Sequence, residues 1–486
     1  MRLRTTIGNL AGQTLIYGMS TVGGRFLNYL LVVVHTNVFA QAEYGSVSEL
    51  YAYVGFFVIL FTYGLETSFF RYSQKLGKDP RVYGTALRSI IVSSIALSGL
   101  IAIGSQPIAN LLRYPQHPEY IAYLGAILGL DAIAAIPFAK LRADNRPAWF
   151  AIVKLTNIGI NIGLNVLFLI ILPAVNDAFQ RDIGYVFLAN LVASAVTLLL
   201  LLPQMKGLRG GFSLSLWKPM LRYGWPLVVV GLAGMINELI DRPMLKYLLP
   251  GTLQENLAQV GIYSACYKLS ILMTLFIQAY RYAAEPFFFA QASKENAPQL
   301  YAQVMKYFVI AGVLIFLVVM LFIDVFKFLI GPEFHGGLHI VPILLMANLF
   351  LGIYYNISIW YKLTDKTITG AFIALIGAVL TIVLNIMLIP VLGYEGSAWT
   401  TLAAYFGICV ISLGVGQRHY HIPYRLDRVL FYILIGLGIY FTDRFLISNL
   451  HSMLLTTALR LALLGFFIAV AWVVESRAQR PTPTSD

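Results

Sequence analysis

Charge is scarce in this chain and cysteine is nearly absent. Only 12% of the 486 residues are Asp, Glu, Lys or Arg, against 59% that are hydrophobic. With a mean hydropathy of +0.76, such a composition excludes a water-soluble surface. The two cysteines, Cys266 and Cys409, both lie inside apolar runs, which argues against a disulfide framework or a metal site and reads them as small buried hydrophobes. No Ser/His/Asp arrangement can be placed. His335, His339, His419 and His421 sit at loop edges without a carboxylate pattern. A glycine-rich phosphate loop is missing as well, which disfavours an ATP-driven pump. Long connections are also lacking: the longest, 203–222 and 281–306, leave no room for an extramembrane domain. Acidic residues number 22 against 34 Lys and Arg, a formal net charge of +12. No basic block with interleaved aromatics accompanies that excess, so nucleic acid is not the expected partner.

What is present is a series of about fourteen apolar runs, each roughly 18 to 25 residues long and able to cross a hydrocarbon core. They cover 14–38, 47–70, 85–103, 120–139, 149–172, 185–202, 223–240, 260–280, 307–329, 338–360, 368–391, 397–416, 430–447 and 453–474. The fold class is therefore an all-α polytopic membrane protein. The first run is too long for a signal peptide and carries Arg25, so it is expected to stay as an uncleaved span. About 22 Lys and Arg fall in one alternate set of loops and about 5 in the other. The positive-inside rule then predicts a multi-pass protein of a plasma membrane with both termini cytoplasmic and an even number of spans.

An internal repeat is visible. Leu164-Asn165 recurs as Leu384-Asn385, and Arg142 and Arg146 map onto Lys362 and Lys366. The offset is about 220 positions, or six spans, which predicts two parallel halves with the binding site between them. The expected divisions are a first lobe, 1–205; a second, 206–417; and two additional helices with a short tail, 418–486.

Ionisable groups inside apolar spans are the informative ones, because each is costly unless paired or hydrated. Arg25 shares a helical face with Tyr17, Thr21, Gly24 and Asn28. Lys154, Asn157, Asn161 and Asn165 fall at spacings of three and four and form a second polar stripe. Lys268 lies in the eighth span and Asp131 in the fourth. Three deep cations against one deep carboxylate predict a wall that attracts an anion such as a phosphate or pyrophosphate, with Asp131 as counter-charge. For each cation the competing reading is a fixed pair that locks two helices, and Lys154 can also snorkel to headgroups. Glu66 with Arg71 and Arg281 with Glu285, near cytoplasmic ends, and Asp241 with Arg242, near an outer end, read as gate or interface pairs. Pro226, Pro286, Gly231 and Gly234 are candidate bending points.

Several short motifs, taken together, resemble one family. They are Gln13-Thr14 with Tyr17-Gly18, Glu43-Tyr44-Gly45, the stretch from Gly64 to Arg71, Pro137 through Arg142, Asp241-Arg242, Gly261 with Tyr263-Ser264 and Tyr267-Lys268, and Gly393 through Ala398 with Thr400-Thr401. This combination resembles the polysaccharide-repeat-unit flippases of the multidrug/oligosaccharidyl-lipid/polysaccharide exporter superfamily. The resemblance implies two pseudo-symmetric six-helix lobes in a V shape around a cationic cavity, plus two C-terminal helices. It implies a monomer of the bacterial inner membrane that moves an undecaprenyl-pyrophosphate-linked oligosaccharide to the periplasmic leaflet by alternating access, for O-antigen, capsule or exopolysaccharide export. Polysaccharide polymerase and co-polymerase proteins are the implied partners. No cofactor is expected beyond coupling to Na⁺, H⁺ or the membrane potential, with Asp131 or Glu66 as coupling groups. Only Arg25 and Lys268 match basic cavity positions of that family; Lys154 and Asp131 rest on the residues alone. The last two spans carry no motif of the family.

Other functions compete with this one. A lipid II flippase or a cation-coupled multidrug exporter would use the same scaffold, although a cationic drug calls for an acidic cavity. A membrane polysaccharide polymerase or ligase calls for a sizeable outer loop with catalytic groups. A scaffold of an assembly complex would not need charges at mid-membrane.

Overall fold

The computed structural model describes residues 23, 24, 27, 29–77, 79–448, 450 and 452–478. Among them every regular element is helical. The chain runs through α1 (Tyr29–Val38), α2 (Gln41–Thr62), α3 (Leu65–Lys75), α4 (Pro80–Ile103), α5 (Ser105–Leu111), α6 (Pro118–Ala143), α7 (Pro147–Val166), α8 (Leu172–Val175), α9 (Gly184–Leu201), α10 (Leu214–Leu239) and α11 (Asp241–Leu248). It continues with α12 (Leu253–Lys268), α13 (Ile271–Gln291), α14 (Ala297–Leu321), α15 (Ile323–Phe326), α16 (Val341–Ile357), α17 (Ile359–Leu363), α18 (Thr367–Leu392), α19 (Tyr394–His419), α20 (Leu426–Thr442) and α21 (Met453–Ala478).

Twelve helices among the described residues are long and apolar enough to cross a membrane, and α12 with α13, broken at Leu269–Ser270, make a thirteenth. About half of the first expected span, Arg25 included, lies outside the described residues; its apolar end is α1. The helix boundaries follow local chemistry that hydropathy alone does not report. Pro80, Pro118 and Pro147 each sit in a first turn, where the missing N–H breaks no helical bond. Asp79 accepts from the Arg81 N–H at 2.8 Å and caps α4. As a result α4 begins at Pro80, ahead of the apolar run at 85, and α14 begins at Ala297, ahead of 307. The helix α10 runs unbroken through Pro219 and Pro226. Gly231, read from sequence as a bending point, instead admits the Ile59 side chain of α2.

The described residues form two compact units, Met1–Ser264 and Ala265–Asp486. In the first, Phe61, Leu65, Val82, Ile90, Leu128 and Ile136 pack α2, α3, α4 and α6 together. Lipid is as apolar as these side chains, so close packing and polar ties, more than water exclusion, hold such helices. Small residues set the closest approaches: a Cβ on Gly45 would meet the Leu257 carbonyl oxygen at 1.9 Å, and one on Gly261 the Gln41 oxygen at 2.0 Å. In the second unit α16, α18 and α19 pack side by side, with Trp360 of α17 filling the space over Gly416 of α19. Cys266 and Cys409 are both buried and free, as expected of small hydrophobes.

Candidate functional site

The second span is interrupted at Tyr63 and Gly64, both left-handed with φ of 32° and 71°. A glycine at the second position makes the double turn accessible. The turn separates α3 from α2 and leaves Glu66 in the first turn of α3, where it is bonded to the Arg142 guanidinium at the end of α6. From the sequence, Arg71 is the expected partner of Glu66. Arg71 instead lies over the Tyr223 ring of α10 at 4.1 Å, because positions five apart do not share a helical face.

The polar stripe of α7 divides along its length. Asn157 donates to the Thr197 hydroxyl of α9 at 2.9 Å. Asn165 is buried, donates to the Asn161 side-chain oxygen at 3.0 Å and meets the His35 ring of α1 at 2.8 Å. These amides tie helices together. Lys154 and Asp131 are the exposed members of the set, on α7 and α6. Lys154 lies over the Phe138 ring at 4.4 Å, and Asp131 feels the charge of Lys154. Arg25, the first cation of the expected anion wall, and Asn28, which shares its helical face, lie outside the described residues.

Asp241 and Arg242 do form the expected pair. They are buried, with Arg242 Nη1 at 2.8 Å from Asp241 Oδ1 and also donating to the Glu238 carbonyl at 2.8 Å. The Tyr263 hydroxyl donates to the other Asp241 oxygen.

In the second unit Arg281 and Glu285 are 3.8 Å apart, the i,i+4 pair the sequence suggests. The stronger partner of Glu285 is Lys362, whose Nζ donates at 2.6 Å, while Arg281 lies over the Tyr355 ring at 4.0 Å. Lys268 is half-buried at the end of α12 and takes part in an interaction of its own.

One cluster has no counterpart among the sequence-derived candidates. Lys246 of α11 donates to both carboxylate oxygens of Glu49 in α2, each at 3.0 Å, and to the Leu112 carbonyl at 2.6 Å. Neither charged side chain has any exposed surface. The Tyr114 hydroxyl donates to Glu49 Oε2 at 2.6 Å, and the Tyr114 ring lies 4.0 Å from the Lys246 ammonium. Burial, and next the Glu49 carboxylate, push the Tyr114 phenol well above its ordinary value, so it remains a donor. Glu49 is a carboxylate within an apolar run, and the rule that drew attention to Asp131 applies to it equally. An open cavity of about 390 Å³ adjoins the cluster, lined by Glu43, Ser46, Arg113, Tyr114, His117 and Asp182 among others.

Known sequences and structures resemble this chain. The sequence model described as polysaccharide biosynthesis protein matches residues 10–291. No curated protein matches the sequence. Among solved structures, one titled lipid II flippase MurJ, inward closed conformation, superposes with a TM-score of 0.68 at 15% identity, covering 94% of this chain and 99% of that one. An inward-facing multidrug resistance MATE family transporter of the MOP superfamily gives 0.67 at 16% identity over 84% and 97% of the two chains. An outward-facing structure of such a transporter gives 0.61 at 15% identity over 84% and 94%. At these identities the likeness is one of fold, shared with transporters. With more than half of its length matched by the family's sequence model, the chain belongs to the polysaccharide biosynthesis protein family.

Proposed function

We propose that this protein is a flippase for an undecaprenyl-pyrophosphate-linked oligosaccharide repeat unit, carrying it from the cytoplasmic to the periplasmic leaflet of a bacterial inner membrane. The observation that carries the reading is the match to a polysaccharide biosynthesis family on a fold shared with a lipid II flippase. The chemistry of the spans supports it. Arg25, Lys154 and Lys268 fall within the apolar runs of the sequence, and a pyrophosphate is a ligand that compensates such charges.

In this reading the halves 1–205 and 206–417 rock about the bound headgroup while the polyprenyl tail stays in lipid, and 418–486 adds two helices. Arg25 and Lys268 hold the pyrophosphate, and Asn28, Asn157 and Asn161 offer hydrogen bonds to sugar hydroxyls. Asp131 or Glu66 couples the cycle to H⁺, Na⁺ or the membrane potential. Both termini are cytoplasmic, the chain works as a monomer, and polymerase and co-polymerase proteins receive the product. Lipid II is the second substrate to consider, because the scaffold of its flippase superposes over nearly the whole of this chain.

The test is leaflet transfer in liposomes of a labelled polyprenyl-pyrophosphate oligosaccharide and, separately, of lipid II, with and without Na⁺ or pH gradients. Transfer of the oligosaccharide, abolished by Arg25→Ala or Lys268→Ala in folded protein, is the expected result. Transfer of lipid II alone would move the assignment to the second substrate, and transfer of neither would remove the reading.

A further inference from the structure

The second span meets the segment 214–264 along a seam inside the first unit, and the two ends of the seam are built differently. Gly45 and Gly64 are nineteen helical steps apart, about 28 Å, close to the thickness of a hydrocarbon core. At the Gly64 end the contact is backbone against backbone: a Cβ on Gly64 would lie 2.6 Å from the Gly224 oxygen, and Ser68 donates to the Met220 carbonyl at 2.9 Å. At the Gly45 end, the α2–α12 glycine contact is accompanied by the buried Glu49–Lys246–Tyr114 cluster.

A buried ion pair is a poor choice for permanent stability, since an apolar pair of similar volume holds as well or better. Its advantage is reversibility. Two leucines lose only contact on parting, but separated ions recover hydration if water reaches them, so the open form is not penalised in full. Tyr114 belongs both to the cluster and to the lining of the open cavity of about 390 Å³, so its displacement would admit water to the ions. Glu49 Oε2 accepts from both Tyr114 and Lys246, and the three groups come from α2, the α5–α6 connection and α11. Withdrawal of α11 would therefore break the Lys246 bonds to both Glu49 and Leu112 in one motion.

We propose that Glu49, Lys246 and Tyr114 form a releasable latch at the Lys/Arg-poor end of the seam, opposed at the other end by the Gly64–Gly224 contact. The two are opened in alternation. The proposal rests on the transport reading for its purpose, but its test needs no substrate, so the two can fail separately.

The experiment uses the full chain in nanodiscs with Cys266 and Cys409 replaced by Ala and one cysteine introduced at Leu257 or at Ser68, both buried at their ends of the seam. The readout is the rate of labelling by a water-soluble maleimide. The Lys246→Met variant leaves the Glu49 carboxylate without its cation in the closed form, where neither charged side chain is exposed. It is expected to raise labelling at position 257 by about tenfold and to lower it at 68. Tyr114→Phe, which removes the hydroxyl's bonds to Glu49 and Ser46 but leaves both charges paired, serves as the milder variant and should move both rates the same way by about two- to tenfold. Gly64→Ala should do the reverse, raising 68 and lowering 257. Unchanged rates, or rates that rise at both positions together, would overturn the proposal.

Discussion

Glu66 accepts its hydrogen bond from Arg142, joining the broken second span to the end of the fourth. Glu285 and Lys362 repeat the arrangement about 220 positions later. Both carboxylates are roughly two-fifths exposed, so neither tie contributes much to stability. Glu66→Gln and Glu285→Gln should each change unfolding free energy by less than about 1 kcal/mol. Thermal melting in detergent should stay within a few degrees of the parent, while liposome transport falls; a collapse in melting would show that these pairs hold the fold.

The glycine contacts between α2 and α12 lead to the opposite expectation. Gly45→Ala and Gly261→Ala each place a methyl about 2 Å from a backbone oxygen of the other helix, so the helices must move apart. Each should destabilise by about 1 to 3 kcal/mol, seen as lower melting and lower yield. Gly234→Ala meets nothing within 4 Å and should leave melting unchanged.

Arg460 of α21 binds Asp443 at 2.8 Å and Asp324 at 3.0 Å. Asp443 is buried, so Arg460→Met strands a carboxylate and should cost about 3 to 5 kcal/mol. Adding Asp443→Asn should recover most of that loss. Failure of the double variant to recover would mean that Arg460 acts through packing and not charge.

The pH response of this tie has a definite sign. Burial raises the Asp324 carboxyl, but hydrogen bonds from Arg460 and Lys327 outweigh it and hold the group below its ordinary range. A carboxyl lowered in the folded state contributes stability above its unfolded value, near pH 4, and loses it as pH falls through the folded value. The melting difference between the parent and Asp324→Asn should therefore be flat from about pH 5 to 8 and shrink as pH falls below about 4.

Hydropathy made the spans legible because crossing a hydrocarbon core demands long apolar runs whatever the tertiary arrangement. Their ends were less so, since Pro80 and Ala297 begin helices through capping and first-turn geometry that continue beyond the apolar windows. The offset that maps Arg142 onto Lys362 was readable, and each of these cations has a carboxylate partner from a helix early in its unit. The partners themselves were not readable. Glu66 and Arg142 stand 76 positions apart and Glu49 and Lys246 stand 197 apart, distances over which helical periodicity carries no information. The Asn157 to Asn165 face was correctly seen as polar, but an amide that bonds a neighbouring helix and one that awaits a ligand have the same spacing.

The two C-terminal helices illustrate what pairing at two heights does. Along α21, Arg460 and Glu475 are about 22 Å apart. Arg460 is bonded to Asp443 and Asp324, and Glu475 to Lys306 of α14 and Tyr432 of α20. A rod pinned at a single point can swivel; one pinned near both ends keeps its azimuth. Leu454, Leu461, Phe466 and Trp472, which α21 turns outward, thus present a fixed oily keel whose bearing is set by its neighbours within the second unit.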